Sequence, residues 1–296
     1  MSFSIIALVL RIIGLGFERP LVKALGQGRS SIAATTLYFG IGILLLLPVI
    51  IWQASTNPLY FADIHIWILP CVASGLIYAL SFHTYVYAMS VGEVSYLTPL
   101  YATAFLFLYL LDIVFGTATF GLVPLGGILV VMLGVVLLNL KPGADWHKSL
   151  NPLLVVRQPG AWGMLVYAFG LATGRLIDKS VANIAPPVAY AFLDNLPAVL
   201  IGAAILLFRG RLSDVMSLHR ERTKIAWVGA VSGMGAYVML LLALRDLKPS
   251  VVEPVTQLSV FIAVGMGGLW FGEQTRTRWL PSLLLVIGAA LLLWKG

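Results

Sequence analysis

Apolar residues run through this chain in blocks of about twenty, separated by short polar stretches, and that rhythm predicts a bundle of bilayer-crossing helices. About 20 apolar residues carry a helix across the hydrocarbon layer. Blocks of that kind fall at 4–25, 31–53, 64–89, 94–115 and 120–140, and again at 161–182, 187–208, 225–244, 251–271 and 279–294. The expected fold class is therefore an all-α integral membrane protein of ten transmembrane helices, five in each half. The polar positions inside the blocks carry as much information as the apolar ones, because an ionisable group at membrane depth is costly and faces a cavity or a partner.

The two halves repeat. Gly14, Leu15, Arg19 and Lys23 return in order as Gly170, Leu171, Arg175 and Lys179, and Ala33 and Leu37 return as Ala189 and Leu193, all at an offset of 156. Ala88, Ser95 and Pro99 return as Ala243, Ser250 and Pro254 at 155, and Gly134, Leu137 and Leu138 as Gly288, Leu291 and Leu292 at 154. Five crossings per copy is an odd number, so the second copy enters from the opposite side and the repeats are inverted around a central cavity. This divides the chain into a first five-helix repeat at 1–140, a connecting loop at 141–160 and a second repeat at 161–296.

Composition agrees with the membrane reading. Apolar residues make up 60% and charged residues 10% of the chain, with a mean hydropathy of +0.97, whereas soluble domains run near 25% charged. The net charge of +7 sits in short loops beside apolar spans, where it sets orientation rather than binding nucleic acid. The single cysteine, Cys71, is expected to be a packing residue, so no disulfide framework and no cysteine-rich metal site is expected. The first apolar block carries Arg11, Glu18 and Arg19 and has a counterpart in the second half, which reads as a retained span rather than a cleaved signal. The connectors 141–160 and 209–224 are too short to fold alone. No H-E-x-x-H and no G-x-S-x-G lies on a span, so no enzyme activity and no cofactor is expected.

Twelve Lys and Arg residues flank the side shared by loops 1-2, 5-6, 7-8 and 9-10, against four on the side that holds both termini. By the positive-inside rule the loop-rich side is cytoplasmic and both termini are external.

Candidate site residues come from polar groups within the spans. Arg19 lies about 7 Å from the midpoint of span 1 at 1.5 Å rise per residue, and Arg175 is its inverted equivalent. A guanidinium offers a planar fork of donors to a carboxylate or phosphate, so the pair suits an anionic or zwitterionic substrate; the alternative pairs Arg19 with Glu18 or a neighbouring span, and Arg175 with Asp178. Glu18 and Arg11 share one helical face and suggest mutual compensation. Lys23 and Lys179, near span ends, are expected to snorkel to the headgroups. Glu253, one turn from Gln257, is a candidate proton-coupling carboxylate, or else an acid in a first helical turn. Pro99 and Pro254 free the carbonyls of Ser95 and Ser250 and break their helices locally. Tyr78, His83, Tyr85, Tyr87, Thr98, Tyr101 and Tyr237 offer an aromatic wall with hydroxyls, in competition with interfacial belt and packing roles.

Together, these features resemble a known family. Ten spans in two inverted repeats, a small-residue-rich third span running into Tyr87-Ala88-Met89, the Ser-x-x-x-Pro start of spans 4 and 9, and the Phe271-Gly272-Glu273 turn before a span containing Gly288 resemble the EamA branch of the drug/metabolite transporter superfamily. The resemblance implies a secondary carrier for a small organic metabolite, working by alternating access, with a central cavity lined mainly by spans 1, 3, 4, 6, 8 and 9. It implies both termini in the cytoplasm, against the charge count. Phe115-Gly116-Thr117 lacks the acid that the family carries after span 4. The expected activity is export of an amino acid or related amphipathic or zwitterionic compound, coupled to protons. The alternatives are a flippase of a lipid-linked substrate and an uncoupled facilitator of a phosphorylated or cationic metabolite. Membrane lipid and protons are the expected partners beside the metabolite, in a monomer or homodimer. The expected location is multi-pass in the plasma membrane, which in a bacterium is the inner membrane.

Overall fold

The computed structural model describes residues 3–57, 59–115, 121–138, 156–246, 252 and 255–292. Among these residues every regular element is helical: α1 (Phe3–Gly26), α2 (Ser31–Thr56), α3 (Ile64–Val91), α4 (Val94–Leu100), α5 (Thr103–Val114), α6 (Leu122–Leu138), α7 (Ala161–Val181), α8 (Pro187–Phe208), α9 (Ser213–Asp246), α10 (Ser259–Phe271) and α11 (Trp279–Leu292). Local chemistry sets the ends. The Ser30 hydroxyl accepts from the Ala33 N–H at the start of α2. Pro187 opens α8, where its missing N–H costs nothing, and Gly272 closes α10 in the left-handed conformation, φ +65°.

Five stretches are long and apolar enough to cross a membrane: α2, α3, the α4–α5 segment Val94–Val114, α8, and Ser213–Arg245 within α9. α6, α10 and α11 hold shorter apolar helices. α1 and α7 have spanning length but carry Arg11, Glu18, Arg19 and Lys23, and Arg175, Asp178 and Lys179. All of these except Lys179 face the interior. On α1 the outer face is Phe3, Ile6, Leu10, Ile13 and Phe17, all exposed, while Arg11, Glu18 and Arg19 are buried. A helix with its apolar stripe outward and its charges inward is the reverse of a soluble amphipathic helix, and it belongs in lipid. The chain is a multi-pass membrane protein.

The helices pack in a definite pattern. α1 lies against α9 and α10, α2 against α8 and α9, α3 against α7 and α8, α5 against α7, α4 against α10, and α6 against α11.

Three stretches depart from the expected spans. Span 4 is broken at Tyr101–Ala102: Pro99 cannot donate, and the Ala102 N–H reaches back only three residues to the Pro99 carbonyl, 2.9 Å. Span 9 has a turn at Gln257–Leu258 before α10, within one residue of the position equivalent to this break. Glu253 and Pro254 lie outside the described residues, as does most of the connector 141–160. The span expected at 225–244 belongs to the longer α9, which begins at Ser213 inside the expected connector and bends at Arg222 (φ −125°, ψ 32°). There the Arg222 guanidinium donates to the Ala24, Leu25 and Gln27 carbonyls and satisfies the end of α1.

Candidate functional site

Helical spacing alone gathers the site. On α1, Arg11, Leu15, Glu18 and Arg19 stand at i, i+4, i+7 and i+8, one stripe of the helix. Tyr167, Leu171 and Arg175 make the matching stripe on α7, and Tyr78, Phe82 and Tyr85 on α3. Tyr101 enters from the α4–α5 break, Asp194 and Asn195 from α8, Tyr38 and Phe39 from α2, and Tyr237 from α9. Together they line a cavity with about 90 Å³ of room for water-sized molecules. Its wall is aromatic. Tyr85 stacks on Tyr167 at 4.5 Å and Tyr38 on Phe82 at 5.3 Å.

The polar groups are held in two clusters. In the first, Glu18 accepts from the Tyr85 hydroxyl at 3.1 Å and the Tyr38 hydroxyl at 3.4 Å. Arg11 donates to Thr256 Oγ1 at 3.1 Å and the Ala236 carbonyl at 3.0 Å. Arg19 is 2% exposed and its guanidinium lies 4.8 Å from the Tyr101 ring centre; neither terminal nitrogen has a hydrogen-bond partner among the described residues. In the second, Asp178 accepts from Ser74, Tyr78 and Tyr190, each at 2.7 Å, from Tyr237 at 3.3 Å, and from Arg175 at 3.2 Å. Asp194 is buried beside it, its carboxyl hydrogen-bonded by Ser74 and Tyr237, with Oδ1 lacking a partner among the described residues.

The cavity thus brings together Arg11, Glu18, Arg19, Tyr78, Tyr85, Tyr101, Arg175 and Tyr237 from the candidate residues. Four stand elsewhere. Tyr87 is 54% exposed on the outer surface, about 200° around α3 from Tyr85. His83 sits against its own helix, its Nδ1 donating to the Ala79 carbonyl at 2.8 Å. Thr98 and Gln257 are fully buried, and neither the Thr98 hydroxyl nor the Gln257 amide has a hydrogen-bond partner among the described residues. The proton-coupling candidate Glu253, with Pro254, falls outside the described residues. Sequence reasoning passed over Tyr38, Tyr167, Asp194 and Asn195. The polar pair Asp194-Asn195 in the middle of the apolar run 187–208 was the signal that pointed to two of them.

Outside the cavity, Lys23 corrects an expectation. Rather than snorkelling outward it is buried, donating to Glu273 at 2.6 Å and the Gly92 carbonyl at 2.9 Å, while Lys179 is exposed. Glu273 also accepts from the Val94 and Ser95 N–H groups at 2.9 and 2.7 Å. Burial pushes the Glu273 carboxyl up, but the Lys23 ammonium and these N–H groups outweigh it and hold it below the usual carboxylate value. This latch ties α1 and the turn after α10 to the start of α4. Arg278–Glu93 at 3.2 Å and the exposed Arg29–Glu221 pair join the same loop ends.

A match to the EamA-like transporter family covers residues 158–295. No curated protein matches the chain. The matched stretch runs from the start of α7 through α11 and contains Arg175, Asp178, Asp194, Tyr237 and Glu273.

Proposed function

We propose, from the match of residues 158–295 to the EamA-like transporter family, that the chain is a membrane transporter rather than an enzyme, and within that class a secondary carrier of a small zwitterionic metabolite such as an amino acid. Its frame is a pair of inverted five-helix repeats. The packing pattern supports this, because it survives exchange of the halves: α1 on α9 becomes α7 on α3, α2 on α9 becomes α8 on α3, α1 on α10 becomes α7 on α5, and α2–α8 and α6–α11 map onto themselves. The helix breaks at 101–102 and 257–258 fall within one residue of equivalent positions as well.

The observation that carries the substrate assignment is Arg19. A cation taken out of water without its hydrogen bonds satisfied costs several kcal/mol, and this one lines the cavity with neither terminal nitrogen hydrogen-bonded among the described residues. A substrate carboxylate would satisfy the fork in bidentate fashion. Glu18 and Asp194, on the same cavity, supply carboxylates for an ammonium, and the tyrosine wall accommodates an apolar side chain. A lining that carries both guanidinium and carboxyl groups suits a zwitterion better than a phosphate or a simple cation. Transport follows by alternating access, the halves rocking about the cavity while the Lys23–Glu273 latch makes and breaks on one side. Export driven by proton exchange is the direction and coupling we assign.

The test is uptake of labelled neutral amino acids into proteoliposomes. Arg19→Ala abolishes it at unchanged protein yield, while Lys179→Ala, altering an exposed cation, retains it. Wild-type rates in Arg19→Ala overturn the carboxylate clamp, as does a thermal-shift screen in which choline-like cations stabilise the protein and amino acids do not.

A further inference from the structure

Where α2 packs against α8, equivalent positions of the two halves carry different chemistry. Tyr38 and Phe39 on α2 correspond, at the offset of 156, to Asp194 and Asn195 on α8, and all four residues line the cavity. One half brings rings and the other brings oxygen acceptors. Phe39 is buried, with its ring edge-on to Phe82 at 4.6 Å. Asn195 is buried too, in the middle of an apolar helix, where a polar amide is costly unless its hydrogen bonds are made.

The hydrogen bonds of Asn195 fix which way its amide faces. Nδ2 donates to the Ala191 carbonyl one turn back and to Met234 Sδ at 3.4 Å, which uses both hydrogens of that nitrogen. The reverse orientation would set Oδ1 against the Ala191 oxygen, lone pair to lone pair. Oδ1 itself takes no hydrogen bond from a described residue. With its donors spent, Asn195 offers the cavity a neutral acceptor, next in sequence to the Asp194 carboxyl. Charge and hydrogen bonding select different properties of a cation. A carboxylate attracts an ammonium whatever its substituents. A neutral carbonyl oxygen favours only a cation with an N–H to give, and one without an N–H leaves that buried oxygen unsatisfied.

We propose that Asn195 is a specificity-determining residue of the cavity: its Oδ1 accepts an N–H of the substrate's ammonium beside Asp194, so that the carrier takes primary ammonium compounds and discriminates against quaternary ones. This rests on the zwitterion reading above and narrows it. Because the equivalent position in the first half is the ring of Phe39, the selection is one-sided. The nitrogen of the cargo turns to α8, and its apolar side chain turns to the rings that α2 and α3 bring.

The test pairs two zwitterions that share a ring and a carboxylate, L-phenylalanine and N,N,N-trimethyl-L-phenylalanine, and reads the binding of each to the purified protein by titration calorimetry. Wild type binds phenylalanine about tenfold or more the tighter, the loss expected when a buried acceptor goes unsatisfied. Bulk alone also disfavours the trimethyl compound, so the variants decide. Asn195→Leu, close in volume and without an acceptor, weakens phenylalanine about tenfold and leaves the trimethyl compound unchanged. Asn195→Ala, which only removes atoms, serves as the second variant with the same expected loss for phenylalanine, and thermal melting establishes that each is folded. Equal weakening of both probes, or of neither, overturns the role of Asn195 while phenylalanine binding by wild type still stands. Failure of wild type to bind either probe overturns the zwitterion reading instead, and the selection by Asn195 with it.

Discussion

Gly233 on α9 approaches the Tyr38 hydroxyl so closely that a Cβ added there would lie 1.5 Å from that oxygen and 3.1 Å from Glu18 Cγ. Tyr38 has little room to yield, being 3% exposed and packed against Phe39 and Phe82 at 5.2 and 5.3 Å. Gly233→Ala must therefore push the ring aside and weaken its bond to Glu18. Overpacking of this kind costs about 1–3 kcal/mol. Gly235→Ala, two residues on, meets nothing within 4 Å and serves as the control. We expect a lowered Tm for the first variant and none for the second, together with weaker stabilisation of the first by amino acids; equal melting of both would show that the wall is soft. At this scale the sequence spoke clearly where a charge repeats between halves. Arg19 and Arg175 were legible because a duplicated arginine at membrane depth has few explanations. Asp194 and Tyr38 stand at equivalent positions and differ, so the repeat concealed both, and His83 and Tyr87 were misplaced because residue type does not say which side of α3 a group faces.

At the scale of elements, the ends of α1, α4 and α10 meet in the Lys23–Glu273 latch, whose side chains are 9% and 5% exposed. Glu273 is held below its usual value, so its contribution to stability is fully present above the unfolded carboxylate range and is lost as pH falls through the lower, folded value. Removing one member of a buried pair strands the other and costs about 3–5 kcal/mol. Glu273→Gln should accordingly melt well below wild type at neutral pH, with the gap narrowing as the solution is acidified past the ordinary carboxylate range. A gap constant with pH would mean that the charge on Glu273 contributes nothing. The helices themselves were largely legible, since blocks of twenty apolar residues leave little choice. Their interruptions were legible where proline marks them, as at Pro99. The extension of α9 into the expected connector was not, because it depends on Arg222 reaching the carbonyls of a helix about 200 residues earlier.

For the molecule as a whole, the proposed inverted frame makes a topological demand that no parallel duplication shares. Gln27, after α1, and Asn183, after α7, are equivalent positions 156 residues apart, both exposed in short loops. Inverted five-helix repeats put five crossings between them and so place them on opposite membrane faces, whereas parallel repeats place them on the same face. The chain suits the experiment, because its single cysteine, Cys71, is fully buried, with its sulfur against the Tyr190 carbonyl. Cysteines introduced singly by Gln27→Cys and Asn183→Cys should differ in labelling by a membrane-impermeant maleimide on intact cells: one reacts, and the other reacts only after the membrane is opened. The excess of Lys and Arg beside Gln27 selects Asn183 as the outer one; reaction at Gln27 instead would keep the inversion and reverse the orientation. Labelling of both from outside, or of neither, would mean an even number of crossings between them, and the rocking of two opposed halves about Arg19 and Arg175 would lose its geometric basis.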